Sequence, residues 1–261
     1  MRFTKMEGLG NDYIYLDCLE GSPEDLPGLA RRLSDRHFGV GADGLICIKP
    51  GQDGDFTMEM YNANGSRGNM CGNGIRCVGK YVYDRGLTRK TCLTIDTDAG
   101  PRGLELHVLG GQVDRVTVDM GPVQIFPAMT LEAAGETFSV IPAQAGNPHG
   151  VIFCGDPDEI DLARLGPLLE CSPALGERRN IEFASVPDRG RLNIRVWERG
   201  SGITLACGTG ACAVFGAALG ENRCENRVKA QLPGGFLTLE RRGDRVLMTG
   251  PARTVFQGEM A

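Results

Sequence analysis

The chain of 261 residues is 41% hydrophobic and 23% charged, a composition typical of a globular protein with one large domain or two modest ones. Its formal net charge of -5 argues against a nucleic-acid or membrane-surface partner, because both require a basic face. The amino end lacks the apolar segment of a signal peptide, and the longest nearly apolar run, Ala211 to Leu219, is too short to span a bilayer. We therefore expect a cytoplasmic protein.

The ten cysteines and three histidines give little support to a disulfide framework or a zinc site. Disulfide frameworks belong to short secreted chains, and no CxxC pair occurs in this sequence. We interpret most of the cysteines, such as Cys18, Cys47 and Cys92, as small buried hydrophobic residues. The sequence predicts no metal and no cofactor.

The predicted elements of the first half begin with a glycine-containing turn and a strand. A helix follows, indicated by apolar residues at helical spacing over residues 26–33. The alternating segment from Phe56 to Asn62 predicts a half-buried strand. A second helix begins directly after Cys71 in NMCGNGIRC and is closed by Gly86.

The second half repeats the first. At an offset of 136, Cys71 falls on Cys207 and Asn11 falls on Asn147 without any gap. Further matches at the same offset are Gly72 with Gly208, Gly74 with Gly210, Leu29 with Leu165 and Leu33 with Leu169.

A repeat of this length indicates two domains rather than a solenoid. We place the domains at 1–120 and 121–251, with 252–261 packing back on the first. The helix after the second cysteine turn, Gly210 to Leu219, is apolar on every side and must be buried all round. Each domain is therefore predicted to wrap a sheet around one central helix.

A cysteine at the start of a helix has a specific chemistry. Unpaired backbone N–H groups and the helix dipole favour its thiolate, the reactive form. The glycines that follow let the same amides approach an anion such as a carboxylate. Their spacing does not match GxGxxG, which disfavours a dinucleotide-binding site.

The pairing of the two cysteine turns suggests a reaction. Domains related by an approximate twofold axis would present one thiol on either side of a bound molecule. A carbon between them can lose its proton to the thiolate and regain one from the thiol on the opposite face, which inverts its configuration. The helix ends would stabilise the charge that develops at the adjoining carboxylate. The sequence thus predicts racemisation or epimerisation of an amino acid.

Taken together, the motifs resemble the diaminopimelate epimerase family from end to end. The matching segments are FTKMEGLGNDY (3–13), DRHFGVGADGL (35–45), YNANGS (61–66), MCGNGIRC (70–77), GNPHGV (146–151), NIEF (180–183) and WERGSGITLACGTGACA (197–213). The resemblance implies an α+β fold of two pseudo-symmetric domains, each a mixed β-sheet curled into a barrel around a central helix. It also implies cofactor-independent interconversion of LL- and meso-2,6-diaminopimelate for lysine and peptidoglycan synthesis.

Carried over to this chain, the resemblance implies that Cys71 and Cys207 are the two acid/base residues and that His149 and Glu198 tune their pKa values. Arg199 and Glu198 would bind the carboxylate and the ammonium of the distal end of the substrate. The substrate-binding residues implied are Asn11, Asn62, Gly72, Asn73, Asn147, Asn180, Glu198, Arg199, Gly208 and Thr209.

Three positions depart from the common pattern of that family. Many relatives carry glutamine where this chain has Gly44, so an amide that could reach the substrate is absent here. Asn64 replaces the aspartate of NADGS in a turn. Phe256 stands where some relatives have tyrosine at a dimer contact, and the resemblance implies a homodimer.

Two other functions compete with this interpretation. A racemase of the same fold acting on histidine or proline would lack a partner for a distal carboxylate, so Arg199 separates it from the leading hypothesis. A thiol redox or metal-binding module would instead use Cys71 and Cys207 as a disulfide pair or as ligands.

Overall fold

A computed structural model describes residues 1–260 of the chain. These residues form two compact units. The first contains Met1–Val118 and the residues from Thr249 onward, and the second contains Asp119–Met248. The chain thus leaves the first unit once and returns to it with its last segment.

The secondary structure of both units is dominated by strands. The helices of residues 1–260 are α1 (Leu26–Ser34), α2 (Gly72–Asp84), α3 (Leu162–Glu170) and α4 (Gly208–Gly220), with 3-10 turns at Pro157–Glu159 and Pro173–Leu175. The strands are β1 (Arg2–Gly8), β2 (Asn11–Asp17), β3 (Gly44–Pro50), β4 (Phe56–Asn62), β5 (Arg67–Gly68), β6 (Cys92–Asp96), β7 (Arg102–Leu109), β8 (Gln112–Pro122), β9 (Gln124–Ile125), β10 (Met129–Ala133), β11 (Glu136–Ala145), β12 (Asn147–Phe153), β13 (Asn180–Asp188), β14 (Arg191–Glu198), β15 (Gly202–Ile203), β16 (Arg227–Leu232), β17 (Gly235–Arg242), β18 (Arg245–Pro251) and β19 (Arg253–Glu259).

The first unit wraps one mixed sheet around α2. Its strand order is β19-β1-β2-β3-β4-β6-β7-β8, in which β2–β3 and β4–β6 are parallel and the other pairs are antiparallel. Two glycines show how closely α2 is enclosed: Gly74 faces β3 and β4, and Gly79 faces β7 and β8. The sheet therefore curls around α2.

The second unit builds the same arrangement around α4. Its strands run β10-β11-β12-β13-β14-β16-β17, with β12–β13 and β14–β16 parallel. Helix α4 packs against β9, β11, β12, β13, β14 and β17. Nearly all of α4 is buried, as its uniformly apolar sequence predicts.

Two parallel strand pairs, one in each unit, have the same register at the repeat offset. Tyr13 lies beside Gly44 in the β2–β3 pair, and His149 lies beside Asn180 in the β12–β13 pair. Both residues of the second pair follow their counterparts in the first by the same offset of 136. Equivalent positions of the two units can therefore be compared residue by residue.

The outer helices cover the opposite side of each sheet. Leu26, Leu29 and Leu33 of α1 belong to a core with Leu45 of β3. In the second unit, the buried face of α3 packs into a core that includes Phe183 of β13. These cores hold the strands whose ends carry the site residues.

The burial of the cysteines corrects one prediction. Cys18 and Cys47 are buried as expected, but Cys92 is exposed. Strand β6 alternates between buried and exposed side chains, and Cys92 falls on its outer face. No helix among residues 1–260 is long and apolar enough to cross a membrane.

Candidate active site

Cys71 and Cys207 occupy the same structural position in the two units. Each is the N-cap of its central helix, in an extended backbone conformation. Each sulfur accepts a hydrogen bond from the amide three residues later, Gly74 N or Gly210 N, at 3.3 Å. The helices therefore begin at Gly72 and Gly208, directly after the cysteines, as the sequence predicts.

In the first unit, two asparagines surround the Cys71 sulfur. Asn11 Oδ1 lies 3.1 Å from Cys71 Sγ and 3.4 Å from Asn73 Nδ2. The Asn11 amide donates in turn to Asp43 Oδ2 at 2.7 Å, which fixes its orientation. The structure thus brings Asn11, Cys71 and Asn73 together, with Gly72 between the last two.

Tyr13 is a member of this group that the sequence interpretation missed. Its hydroxyl hydrogen-bonds with Cys71 and Asn11. Burial, and then the negative charges of Cys71 and Asp43, raise the pKa of Tyr13 well above its ordinary value. A neutral phenol beside the sulfur is a hydrogen-bond donor that favours the thiolate.

Gly44 makes room for the Tyr13 ring. A Cβ at Gly44 would lie 2.9 Å from Tyr13 Cε1 and 2.2 Å from the carbonyl oxygen of Tyr61. No side chain fits there without movement of the backbone. This packing gives a physical reason for glycine at a position where many relatives carry glutamine.

Arg76 is a second residue that the sequence interpretation missed. It is fully buried and donates to Gly72 O at 3.2 Å and to Asn73 Oδ1 at 2.9 Å. It also donates to Pro251 O at 3.0 Å. Burial lowers the pKa of Arg76, while the nearby Cys77 and Cys71 sulfurs favour its charged form. The guanidinium therefore holds the first turn of α2 and places positive charge near Cys71.

The environment of Cys207 in the second unit is different. Burial raises the pKa of Cys207 well above its ordinary value, and the carboxylates of Glu198 and Glu182 raise it further. Hydrogen bonds from Thr209, whose Oγ1 lies 3.4 Å from the sulfur, and from the Gly210 amide oppose this shift. The helix N-terminus was predicted to favour the thiolate, but burial and the two carboxylates outweigh it at Cys207.

Glu182 is the third residue missed from the sequence. Its Oε1 lies 2.7 Å from His149 Nδ1, and both side chains are fully buried. The other polar atoms of the pair, His149 Nε2 and Glu182 Oε2, have no hydrogen-bond partner within residues 1–260. His149 was expected near the site, but its buried carboxylate partner was not.

The residues expected at the distal end of the substrate meet where β13 begins and β14 ends. Asn180 Oδ1 accepts a hydrogen bond from the Arg199 backbone N at 2.8 Å. The Arg199 side chain is exposed and donates to the carbonyl of Arg178 at 3.3 Å. Glu198 accepts a hydrogen bond from Thr204. Asn180, Glu198 and Arg199 are thus held together by contacts within the second unit.

The remaining predicted residues lie at equivalent strand ends. Asn62 is the last residue of β4 and donates to Ser66 Oγ at 3.0 Å. Asn147 is the first residue of β12, as Asn11 is of β2. Gly208 belongs to the first turn of α4, and its backbone is buried.

The family to which the chain belongs follows from comparison with known proteins. A family model described as "Diaminopimelate epimerase" matches residues 3–126 and 142–255. The chain belongs to the diaminopimelate epimerase family. The resemblance predicted from the motifs is therefore confirmed.

Curated relatives of this family match the whole chain. The diaminopimelate epimerase of Acetivibrio thermocellus is 47% identical over 275 residues, which cover 100% of this chain and 98% of its own length. That of Leptospira biflexa is 42% identical and covers 100% of this chain and 99% of its own length. The match therefore includes both cysteine turns.

Solved structures confirm the α+β fold class of the family. A hydroxyproline epimerase from Agrobacterium vitis, with bound trans-4-hydroxy-L-proline, has a TM-score of 0.73 at 15% identity and covers 99% of this chain and 90% of its own. A phenazine biosynthesis protein of the PhzF family from Bacillus anthracis has a TM-score of 0.75 at 14% identity and covers 100% and 99%. At these identities the likeness concerns the fold alone.

The two units share a sulfur at a helix N-terminus. Among residues 1–260, no group of three or more His, Cys, Asp or Glu side chains is arranged to hold a metal ion. The conserved geometry of the two units is instead a sulfur at a helix N-terminus with glycine amides beside it. This arrangement suits a carboxylate ligand next to a proton-transfer group.

Proposed function

We propose that this chain is an isomerase that interconverts LL-2,6-diaminopimelate and meso-2,6-diaminopimelate. In this proposal the proton of one α-carbon moves through Cys71 and Cys207, and no cofactor takes part. The reaction belongs to the synthesis of lysine and of peptidoglycan precursors. Family membership at 47% identity over the full chain supports this substrate.

The observation that carries the mechanism is the matched geometry of Cys71 and Cys207. Both cap a buried helix and both accept one amide hydrogen bond at 3.3 Å. A racemising enzyme needs one base and one acid of the same kind, because the roles exchange when the reaction runs backwards. One thiolate and one thiol meet that need without any further group.

In the proposed reaction, the thiolate removes the α-proton while the thiol delivers a proton to the opposite face. The α-carboxylate takes up negative charge as the carbanion forms. Amides of the first helical turns, Gly72 and Asn73 in one unit and Gly208 and Thr209 in the other, stabilise that charge. The C–H bond that breaks and the one that forms involve the same carbon, so the product is the epimer and the two sulfurs have exchanged their protonation states.

The distal end of diaminopimelate is itself an amino acid and needs both an anion and a cation as partners. Arg199 supplies a planar guanidinium for its carboxylate, and Glu198 a carboxylate for its ammonium. The equivalent place in the first repeat holds Asn62, which is neutral. Because only one copy carries charges, the two stereocentres of the substrate are treated differently.

An exchange experiment in heavy water tests the proposal. The reduced wild-type protein, incubated with LL-diaminopimelate, should place one deuterium at an α-carbon, detected by mass spectrometry. Cys71→Ser and Cys207→Ser should each lower epimerisation by roughly a thousandfold or more, since a serine hydroxyl is a far weaker acid than a thiol. Cys92→Ser, at an exposed position, is the matched control and should retain full activity.

Three outcomes would contradict the proposal. The first is no deuterium incorporation by wild type at saturating substrate. The second is activity that increases when the protein is oxidised, which would favour the thiol redox hypothesis. Retention of one equivalent of metal through purification would likewise favour the metal-binding alternative.

We also propose that the protein is cytoplasmic and forms a homodimer. Val255 and Phe256 on β19 have exposed fractions of 55% and 44%, which is high for large apolar side chains. Their position agrees with the dimer contact implied by the resemblance at Phe256. Sedimentation of wild type and of Phe256→Asp tests this: a dimer that becomes monomeric supports the proposal, and a wild-type monomer contradicts it.

A further inference from the structure

The two cysteine turns differ in what lies beneath them. At the repeat offset of 136, Gly74 corresponds to Gly210 and Ile46 corresponds to Glu182. A Cβ at Gly74 would meet Ile46 Cδ1 at 2.7 Å, and a Cβ at Gly210 would meet Glu182 Oε1 at 2.5 Å. The same place under the first helical turn is therefore apolar in one unit and a carboxylate in the other.

The position of Glu182 is energetically unfavourable for a carboxylate because it is buried. It lies in the middle of the sheet, paired with Val151 on β12 and with Val196 on β14, and it is fully buried. A buried carboxylate needs partners to offset its lost hydration. The isoleucine at the equivalent position in the first unit shows that the fold itself does not require a charge there.

The hydrogen bond to His149 determines the tautomer of that ring. Where the Glu182 carboxylate accepts this hydrogen bond, His149 Nδ1 is the donor and carries the shared proton. In the neutral ring, Nε2 is then an acceptor, and it is buried without a partner in residues 1–260. Tyr13, whose hydroxyl contacts Cys71, occupies the equivalent position in the first repeat. His149 therefore stands where the other unit places a group that acts on its cysteine.

Two negatively charged side chains act on the sulfur of Cys207. Cys207 has Glu198 from β14 and Glu182 from β13, opposed by the Thr209 hydroxyl and the Gly210 amide of its own helix. His149 on β12 is joined to Glu182. The carbonyl oxygen of His149 accepts a hydrogen bond from Arg179 at 3.5 Å.

The first unit surrounds its cysteine differently. The Arg76 guanidinium and the Tyr13 hydroxyl both lie near Cys71. A cation and a hydrogen-bond donor favour a thiolate, whereas carboxylates favour a neutral thiol. The repeat thus places similar cysteines in different surroundings: two carboxylates act on Cys207, whereas a guanidinium, a phenol and the Asn11 amide oxygen at 3.1 Å lie near Cys71.

We propose that Glu182 is a positioning residue for the epimerisation described above: its carboxylate fixes His149 as the Nδ1-protonated tautomer and keeps Cys207 a neutral thiol, the proton donor of the pair, before substrate binds. This inference rests on the proposed function for its meaning in the reaction. Its two physical statements, about a tautomer and about a thiol, can be measured without turnover.

The first measurement is nitrogen NMR of the histidine rings. The chain has three histidines, so ¹⁵N-histidine labelling gives few signals, and His149→Gln assigns the relevant ones. Wild type should show His149 protonated at Nδ1 and unprotonated at Nε2. Glu182→Ile, which installs the residue of the first repeat, should populate the Nε2-protonated form. An Nε2-protonated ring in wild type, or an unchanged ring in Glu182→Ile, overturns the proposal.

The second measurement is the pH dependence of alkylation of Cys207 by iodoacetamide, followed on its peptide by mass spectrometry. Glu182→Gln keeps the shape of the side chain and removes its charge. The thiolate fraction of Cys207 at a given pH should rise about tenfold, equivalent to a shift of the profile by about one pH unit to lower pH. Glu170→Gln is the matched control, because Glu170 is also buried in the second unit but bonds to Trp197 and Arg178.

The outcomes separate this inference from the proposed function. Superposed Cys207 profiles for wild type and folded Glu182→Gln, in a protein with full epimerase activity, overturn only the role of Glu182. A wild type without activity contradicts the proposed function and leaves both measurements valid. Should Glu182→Ile fail to fold, the wild-type tautomer and the Glu182→Gln profile still decide the inference.

Discussion

Gly210 and Glu182 fit together only because Gly210 has no side chain. The Cβ of any other residue at position 210 would stand 2.5 Å from Glu182 Oε1, closer than atoms in contact can lie. Glu182 Oε1 already forms a hydrogen bond with His149 Nδ1 at 2.7 Å. A methyl group at Gly210 must therefore displace Glu182, His149 or the first turn of α4.

We expect Gly210→Ala to lower both stability and activity. Overpacking at a buried site costs about 1–3 kcal/mol of unfolding free energy, and displacement of Glu182 should reduce kcat/KM by about tenfold or more because the Cys207 turn moves with it. Urea unfolding and the deuterium-exchange assay measure the two effects. Gly74→Ala is the comparison, since its added Cβ would meet the terminal Cδ1 of Ile46, which can rotate away. Equal losses in both variants would contradict a special role for the Gly210–Glu182 contact.

Much of this arrangement could be predicted from the sequence, because it is repeated. The two cysteine turns, the central helices that begin directly after them and the paired asparagines at 11 and 147 all follow from one alignment of the chain with itself. The structure gives Cys71 and Cys207 the same helix-capping hydrogen bond. Local motifs of this kind specify local geometry, and so they can be recognised without coordinates.

The residues that were missed are those in which the repeats differ. Glu182 sits inside a strand, where the sequence pattern indicates a face but does not identify the neighbouring residue in space. The alignment of Glu182 with Ile46 was a usable signal, because a carboxylate in place of a buried isoleucine requires a reason. Arg76 corresponds to Cys212 at the repeat offset, and a charged residue in place of a cysteine was a similar signal. Cys92 was placed on the wrong face because its strand begins at that residue and offers no preceding alternation.

Tyr13→Phe should weaken the thiolate form of Cys71. The hydroxyl that hydrogen-bonds to Cys71 is lost, while the ring that packs against Gly44 remains. If Cys71 must be ionised to remove the α-proton, the acid limb of the kcat/KM profile should move to higher pH, and kcat/KM near neutral pH should fall by about fivefold to twentyfold.

Tyr81→Phe is the matched control for this effect. Tyr81 is a buried tyrosine on α2 of the same unit, and its hydroxyl hydrogen-bonds with Thr4. Loss of that bond should reduce stability by about 1 kcal/mol and leave the acid limb in place. An identical pH profile in Tyr13→Phe and wild type would remove Tyr13 from the set of residues acting on Cys71.

Stability at high pH should depend on Cys207. Burial, Glu198 and Glu182 raise the pKa of this thiol above the value of 9.0 that an ordinary cysteine has. The native state then binds the Cys207 proton more tightly than the unfolded state does. The protonated thiol therefore contributes to the free energy of unfolding below about pH 9, and this contribution is lost as the pH rises further. Urea midpoints of wild type should fall between about pH 8.5 and 10.5.

Cys207→Ser should make the fall of the urea midpoint with pH less steep. Cys92→Ser, at an exposed position, should leave it unchanged. The slope should not vanish, because burial also raises the pKa of Cys77 and of Cys224 to about 11. If the two serine variants lose stability in parallel with wild type, the protonated state of Cys207 does not contribute as inferred.

Arg199→Ala separates diaminopimelate from other amino acids as the substrate. The Arg199 backbone is anchored to Asn180 at 2.8 Å, and its side chain is exposed, so removal of the guanidinium should leave the fold intact. A lost charge-assisted pair with the distal carboxylate should lower kcat/KM for LL-diaminopimelate by roughly a hundredfold or more, mainly through KM. Arg191, an exposed arginine at the start of β14, the strand that ends just before Arg199, provides the control: Arg191→Ala should behave as wild type. Unchanged turnover in Arg199→Ala, together with racemisation of proline or histidine, would instead identify a substrate that has no second carboxylate.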